Sequence, residues 1–319
     1  MNTTTAAEPP TLPAPPLVIA GFWRRLFALL IDLLMLGALG MIIGMLFFDA
    51  LARMGDAAKL IGFVIALAYF GLCNSRVLGG QTLAMRWLGL RVVDAQGDTL
   101  SVPRSILRYA VLGVPFFANG TTLSPHVMLS SVIGYVLALI VFGGMLSIIY
   151  LYIFNRRTRQ SLHDLAVGSY VVQAVPETGR TAFPPIWQGH LMVVALLAVL
   201  ALGAPAVGRR LAGTTTFAGM LPLYQTISTQ PHVMSAQVLR GWLDFNGTVT
   251  HSMQATLRLD APLTDDAAMA KRIARLVANG DPDITSEDAV RVTLVYGYSM
   301  GIASSWKSHG YSFKPDELK

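Results

Sequence analysis

Residues 24–48 read RRLFALLIDLLMLGALGMIIGMLFF, and this stretch decides the class of the protein. Two arginines, Arg24 and Arg25, precede an apolar run that extends to Phe48 and contains a single acid, Asp32. At the helical rise of about 1.5 Å per residue the run is roughly 35 Å long, which exceeds the hydrocarbon core of about 30 Å. The stretch therefore predicts a transmembrane helix.

Asp32 is the unusual residue of this helix. A carboxylate inside the membrane is costly and is kept where it has a partner or a water-filled cavity. Arg25, Ala28 and Asp32 have the spacing i, i+3, i+7 and so share one helical face. Asp32 is either a protonatable group on an ion or proton path, or a structural residue held by arginines of the segment 76–108. We favour the structural interpretation, because neighbouring arginines would hinder a cation carrier.

The composition of the whole chain agrees with a membrane protein. Of its 319 residues, 53% are hydrophobic and 13% are charged, about half the charged fraction of roughly 25% in a soluble domain. The net charge of +6 is concentrated beside apolar segments, so it indicates membrane orientation and no nucleic-acid partner. The single cysteine, Cys73, excludes a disulfide framework within one chain.

Composition also predicts how the chain is divided. The parts are a disordered Pro-rich tail at 1–20, a helical membrane domain at 21–175, a linker at 176–190, an additional transmembrane helix at 191–207 and an extramembrane α+β domain at 215–319. The predicted fold class is a membrane all-α helical bundle of about five transmembrane helices plus a small C-terminal α+β domain.

The number of spans depends on the short apolar segment 106–117. If this segment crosses, every basic cluster up to Arg180 lies on one side of the membrane, as the positive-inside rule favours. Five spans then place the N-terminus in the cytoplasm and the C-terminal domain outside. Arg209 and Arg210, which follow the last span, are on the unfavoured side in this arrangement.

Glycines recur within the predicted spans. They are Gly37, Gly40, Gly44, Gly143 and Gly144. Small residues let membrane helices approach closely, so we expect these glycines to lie at helix–helix contacts.

The C-terminal part has the patterns of a mixed domain. Asn-Gly at 246–247 favours a hairpin turn. The alternation over 249–260 is typical of a strand with one buried face, and a second alternating run covers 290–298. Between them, 264–280 has a helix start, apolar residues at helical spacing and a glycine stop.

Three ordered motifs lie within residues 19–175. They are Arg25-x-x-Ala28-x-x-Ile31-Asp32, Gly80-Gln81-Thr82-x-x-x-Arg86-x-Leu88-Gly89-Leu90-Arg91-Val92-Val93 and Leu162-His163-Asp164-Leu165-Ala166-x-Gly168. Together they resemble the signature of the RDD family of bacterial integral membrane proteins, which is named for an arginine and two aspartates. The family often has Gly-Lys where this chain has Ala84-Met85.

The resemblance implies a helical domain in the bacterial cytoplasmic (inner) membrane, with the segment 76–104 and Asp164 on the cytoplasmic side. It implies that the motif residues are Arg25, Asp32 and Asp164. The supporting residues are Ala28, Gly80, Gln81, Thr82, Arg86, Arg91 and His163. It implies little chemistry, because ion or proton antiport is proposed for some members only. The extension 191–319 lies outside the resemblance.

His163 and Asp164 follow a basic cluster at 156–159 and form either a proton-handling pair or an interfacial cap. We favour the cap, in which Asp164 pairs with an arginine. The candidate partners are Arg156, Arg157, Arg159, Arg86 and Arg91.

Two functions stay open. In the first, the bundle transports a small solute or exchanges ions or protons, with Asp32 as the coupling carboxylate; the resemblance makes this the first choice. In the second, the chain is a non-catalytic membrane anchor or accessory protein whose C-terminal domain binds a partner protein. The additional helix and the C-terminal domain favour the second function. So does the small number of spans, unless the chain forms a homo-oligomer.

An enzyme is the least supported class. The sequence has no nucleophile elbow, phosphate loop or zinc-helix motif, and its histidines are scattered without metal-ligand spacing. We therefore expect no catalytic residues, no metal and no cofactor. The expected partners are the lipid bilayer, a second copy of the chain and a protein bound by the C-terminal domain.

Overall fold

The computed structural model describes residues 17–121, 127, 131–174, 183–212, 220–245, 248–280 and 288–318. Most of the predicted N-terminal tail, much of the predicted linker and the Asn-Gly turn at 246–247 lie outside the described residues.

Helices dominate the described chain up to residue 212. They are α1 (Phe22–Leu46), α2 (Phe48–Met54), α3 (Ala58–Cys73), α4 (Leu83–Trp87), α5 (Val102–Ala118), α6 (Val132–Phe154), α7 (Leu162–Val167) and α8 (Gln188–Ala212). Within α6, residues Leu139–Gly144 form a π-helical segment.

Four segments of the described chain are long and apolar enough to cross a membrane. They are Phe22–Leu46, Phe48–Cys73, Val132–Phe154 and Gln188–Leu211. They confirm the predicted helical membrane bundle. The short apolar segment 106–117 belongs to α5, which has 17 residues and contains Pro115. A Cβ atom added to Gly144 of α6 would lie 3.0 Å from the Pro115 ring, so α5 and α6 are close together there.

The glycines of the spans have two different kinds of neighbour. Gly143 lies at a helix–helix contact as predicted, because a Cβ atom there would be 3.3 Å from the Cβ of Ala201 in α8. Gly37, Gly40 and Gly44 of α1 instead face residues 298–303 of the C-terminal domain. For these three residues the predicted role in helix–helix contacts is wrong.

The described residues form two compact units. The first contains the described parts of 1–32, 68–111 and 147–191, and the second contains those of 33–67, 112–146 and 192–319. Five helices, α1, α3, α5, α6 and α8, contribute residues to both units.

The first unit contains a two-stranded antiparallel sheet. Strand β1 (Leu90–Asp94) pairs with β2 (Ser169–Gln173), and Val92 lies opposite Val171. Because β1 follows α4 and β2 follows α7, the pairing brings the second and third sequence motifs together. A buried apolar cluster packs around the sheet. It consists of Ala20, Ala28, Ala84, Leu90, Val92, Leu100, Val167 and Val171.

The C-terminal domain lies in the second unit. Its elements are α9 (Met220–Ser228), β3 (Val233–Phe245), β4 (Thr248–Leu259), α10 (Ala267–Gly280), β5 (Ala289–Ser299) and β6 (Ser304–Phe313). The strand order is β3-β4-β5-β6, in which β4 and β5 are parallel and the other neighbours are antiparallel. This confirms the predicted α+β domain, although α9 and β6 were not predicted.

The alternating patterns of the sequence account for the core of this domain. Met253, Leu257 and Leu294 are buried on the strands, while Ile273 and Val277 are buried on α10. Helical spacing on α10 and period-two spacing on β4 and β5 place these apolar side chains on facing surfaces. The strand edges at β3 and β6 each have one neighbour among the described strands.

Candidate functional site

The carboxylate of Asp32 is buried in the first unit, with 1% of the residue exposed. Its Oδ1 accepts a hydrogen bond from the Tyr69 hydroxyl of α3 at 2.6 Å and another from the Ala84 backbone N–H at 3.2 Å. Its Oδ2 accepts a hydrogen bond from the Thr82 hydroxyl at 2.6 Å. These donors are neutral, so the predicted arginine partner of Asp32 from the segment 76–108 is wrong. The hydrogen bonds agree with the predicted structural role of Asp32.

The two hydroxyl groups have their hydrogens directed at Asp32. The Tyr69 oxygen accepts from the backbone N–H of Leu83 at 3.3 Å, and the Thr82 oxygen accepts from that of Met85 at 3.2 Å. Each hydroxyl has one hydrogen, which it therefore donates to the carboxylate. All three hydrogen bonds are therefore donated to the carboxylate.

This arrangement makes Asp32 part of the N-terminal cap of α4. Thr82 is the N-cap residue, and its side chain accepts from the backbone N–H of Met85. From α1, Asp32 accepts a hydrogen bond from the Ala84 N–H, another donor that has no partner inside this helix. The first N–H groups of a helix have no partner inside it and attract negative charge. Asp32 thus joins α1 to α3 and to the start of α4.

The preceding motif residues hold this cap against β1. Gly80 has φ of +73°, and a Cβ atom there would lie 2.6 Å from the carbonyl oxygen of Val92, so only glycine fits. The Val92 N–H donates to the Gly80 carbonyl at 2.8 Å. The Gln81 side chain donates to the Leu90 carbonyl at 2.6 Å.

The other supporting motif residues have separate roles. Ala28 is fully buried on α1 in the apolar cluster of the first unit, where a larger side chain has no room. The exposed Arg86 donates to the Leu78 carbonyl at 3.1 Å. Arg91 lies on β1 opposite Val172 and is half-buried. The structure brings neither arginine to the Asp32 or Asp164 carboxylate.

Asp164 is the centre of a second buried network in the first unit. Its Oδ2 lies 2.9 Å from Nη2 of Arg25, and its Oδ1 lies 2.7 Å from Nη2 of Arg108 on α5. Oδ1 also accepts from the Ser169 hydroxyl at 3.0 Å. Oδ2 accepts from the backbone N–H of Ser161, the residue before α7, at 3.2 Å. Asp164 is fully buried, and both arginines are less than a tenth exposed.

The predicted cap is present, but its predicted arginine partners are wrong. Asp164 caps the start of α7, and its charge is balanced by Arg25 and Arg108. The expected partners Arg156, Arg157, Arg159, Arg86 and Arg91 do not supply these ion pairs. Of these, Arg159 contributes its backbone carbonyl, which accepts a hydrogen bond from Arg25.

The sequence analysis missed some contacts of the site. Arg108 was expected among the arginines that hold Asp32, but it pairs with Asp164; its place inside a short apolar segment is itself a sign of a buried partner. Asn155 and Gln160 carry no comparable signal. Asn155 donates to the Gln160 carbonyl at 2.9 Å, and Gln160 donates to the Ser169 carbonyl at 2.9 Å. They hold the loop between α6 and α7 beside Arg25.

Opposing effects act on the Asp164 carboxyl. Its burial raises the pKa, but the positive charges of Arg108 and Arg25 lower it by more, so the pKa lies well below its usual range. The neighbouring His163 has its Nε2 3.6 Å from Asp164. Burial lowers the pKa of His163 to about 3, so the imidazole is neutral near pH 7. Its Nδ1 is buried without a hydrogen-bond partner in the described part of the chain.

The two networks meet on α1. Arg25 and Asp32 are seven residues apart, about 10 Å along the helix. With Arg108 and Asp164 they form two buried cations and two carboxylates, which balance in charge. The two networks connect α1, α3, α4, α5 and α7. Both oxygens of each carboxylate accept hydrogen bonds from groups of the protein itself. Within the described residues there is no group of three or more His, Cys, Asp or Glu that could hold a metal ion.

A model of the RDD family matches residues 19–168 of the chain. The matched region contains all three motifs, including Arg25, Asp32 and Asp164. The additional helix α8 and the C-terminal domain lie outside it. A comparison with curated proteins found no significant match.

Replacing Asp164 by Asn tests the second network. The substitution keeps the shape of the side chain but leaves Arg25 and Arg108 buried without their anion. Breaking a buried ion pair from one side costs roughly 3–5 kcal/mol, and we expect a loss of this size in the unfolding free energy of the purified protein in detergent. The matched control is Asp98→Asn, because Asp98 is exposed. Equal stability of the two variants would contradict the structural role of Asp164.

The low pKa of His163 predicts a dependence of stability on pH. The folded imidazole resists protonation down to about pH 3, whereas an unfolded histidine takes up a proton near pH 6.5. Stability should therefore fall as pH is lowered through this window, by up to about 1.4 kcal/mol per pH unit from this group. In His163→Gln the contribution is absent, so unfolding measured from pH 7 to pH 4 should show a shallower decline. Parallel curves for the two proteins would refute the prediction.

Proposed function

Since residues 19–168 of this chain form an RDD-family membrane domain, we propose that this domain is a non-transporting anchor. It holds the C-terminal α+β domain at the outer face of the bacterial inner membrane. One observation carries the proposal: Asp32, the carboxylate within a membrane helix, is occupied by the Tyr69 and Thr82 hydroxyls and the Ala84 N–H. A carboxylate that couples ion movement must exchange its partners, whereas these donors belong to the fold itself.

The two buried arginines support the same function. Arg25 and Arg108 both lie beside the single carboxylate of Asp164, and their fixed positive charges repel a transported cation at this position. Asp164 is further held by Ser161 and Ser169. Both family carboxylates therefore stabilise the junction between membrane helices and the segments that follow them.

The basic residues support a five-span arrangement. Arg24 and Arg25 precede the first span, and the cluster at 156–159 follows α6. Under the positive-inside rule these basic segments are cytoplasmic, and α5 completes the fifth crossing in spite of its 17 residues.

A partner protein is the natural use of an anchored domain. The outer strands β3 and β6 each lack a second neighbour among the described strands. Free strand edges are a common means of binding an extended peptide. We propose that the partner is a protein on the same side of the membrane as the C-terminal domain.

Transport of a small solute or ion is the second candidate. It is favoured by the position of Asp32 within α1, because intramembrane carboxylates often mark ion or proton routes. The hydroxyl groups of Tyr69 and Thr82 beside it could relay a proton.

Flux measurements separate the two functions. We expect proteoliposomes of the wild type to show no proton flux under Na⁺, K⁺ or Li⁺ gradients. We also expect Asp32→Asn to lower the unfolding free energy, by roughly 1.5–3 kcal/mol for one lost charged hydrogen bond. Flux in the wild type that disappears in a folded Asp32→Asn protein would establish transport instead. The matched control for the charge change is Asp98→Asn at an exposed position.

Reporter fusions test the orientation. A fusion at Gly120 and another at the C-terminus should both report the outer side, because five spans place both beyond the membrane. A cytoplasmic signal at Gly120 would show that α5 does not cross, and the five-span arrangement would then be wrong.

A further inference from the structure

The turn between β5 and β6 is the tip of a hairpin, yet Met300 in it is buried and Ile302 and Ala303 are half-buried, while Gly301 is exposed. We call residues 300–303 the hairpin tip. The Met300 N–H donates to the Ala303 carbonyl at 2.8 Å, and Gly301 has φ of +79°. Met300 is fully buried, and Tyr298 at the end of β5 is only 1% exposed. Hairpin turns normally lie on the surface, so this tip is inserted into other parts of the second unit.

Three glycines of the membrane helices form the notch that receives the tip. A Cβ atom on Gly40 of α1 would lie 2.7 Å from the Cβ of Ala303. One on Gly62 of α3 would overlap the carbonyl oxygen of Met300. On Gly44 of α1, it would overlap the Tyr298 hydroxyl. At Gly40 and Gly62 a residue larger than glycine would force the tip outward, and at Gly44 it would displace the adjacent Tyr298 side chain.

A third membrane helix completes the notch. Phe117 near the end of α5 lies so close to Gly301 that a Cβ atom on the glycine would be 2.5 Å from its ring. Phe117 also packs against Phe63 of α3, with ring centroids 5.4 Å apart. The tip therefore contacts α1, α3 and α5 together, through parts of these helices that belong to the second unit.

Polar contacts beside the tip attach the domain to the connection between α1 and α3. Nη1 of Arg258 on β4 lies 3.2 Å from Oδ1 of Asp56, and its guanidinium group lies 4.9 Å from the centre of the Trp306 ring. The Tyr296 hydroxyl donates to Asp49 on α2 at 2.8 Å. The side chains of Arg258 and Asp56 are 13% and 23% exposed, so the ion pair is mostly shielded from water.

We propose that the hairpin tip is a plug that locks the C-terminal domain into the glycine notch and closes that end of the helical bundle. The partner of this notch is the chain's own hairpin. Apolar contacts of the tip and the Arg258–Asp56 ion pair act together as a lock. The domain is then presented in a fixed position, and any route between α1, α3 and α5 at that end is blocked while the tip is seated. The plug does not depend on whether the protein anchors a domain or transports a solute, because the contacts of the hairpin tip are the same for either function.

Cysteine labelling of the full chain in lipid nanodiscs tests the plug. Cys73 is replaced by Ser so that only introduced cysteines react. With Met300→Cys, we expect a water-soluble maleimide to react at least tenfold more slowly than with Ser304→Cys, whose position is exposed. Equal rates at the two positions would overturn the proposal, because an unseated tip exposes both.

Gly62→Ala in the Met300→Cys background tests the notch itself. The added methyl group should expel the tip and raise the labelling rate at least fivefold. The matched control is Gly203→Ala in α8, where nothing lies within 4 Å of the added Cβ atom, and it should leave Met300→Cys protected. Continued protection in a folded Gly62→Ala protein would contradict the plug.

A charge reversal provides the test if Gly62→Ala does not fold. Arg258→Glu should also increase labelling of Met300→Cys, and adding Asp56→Arg should reverse the increase because the ion pair is restored with opposite polarity. Absence of both effects would show that the ion pair does not hold the tip in place.

Discussion

The carboxylate of Asp164 carries the opposing charge for two guanidinium groups that come from different helices. Arg25 stands at the start of α1, and Arg108 lies in the first half of α5. A buried guanidinium without an anion would be very costly. The positions of α1 and α5 in the first unit are therefore tied to α7, the short helix that Asp164 caps. The pairing of β1 with β2 continues this junction, since Ser169 of β2 also donates to the same carboxylate.

Asp32 provides a second junction built on a different principle. Its partners are neutral, and they are directed at it by their own hydrogen bonds to the start of α4. The helix end supplies partial positive charge, while the hydroxyl groups supply short hydrogen bonds. This explains why an aspartate in α1 occurs together with the segment Gly80-Gln81-Thr82. The glycine lets the backbone approach Val92, and the threonine completes the cap.

The second unit shows how one sequence feature can have more than one structural meaning. Small residues in membrane helices usually mark close contacts between helices, and Gly143 fits this pattern against Ala201. Gly40 makes the same kind of room for the turn between β5 and β6, and Gly44 does so for the Tyr298 side chain of β5. The requirement at both places is the absence of a Cβ atom, so the pattern of glycines is the same while the neighbour differs.

The sequence by itself determined the class of the protein, the apolar helices, the strands β4 and β5 and the helix α10, because hydrophobicity and periodicity are properties of neighbouring residues. It also indicated Arg25, Asp32 and Asp164 as the residues of interest. Only the tertiary structure decided their partners. Five arginines were candidates for Asp164, yet its partners are two others, Arg108 and Arg25, which are 56 and 139 residues away along the chain. Likewise the strand β6, whose sequence alternates weakly, forms through its pairing with β5. The partners of a residue depend on which distant segments pack together. Leaving a charge or a backbone group unpaired becomes costly only when folding removes it from water.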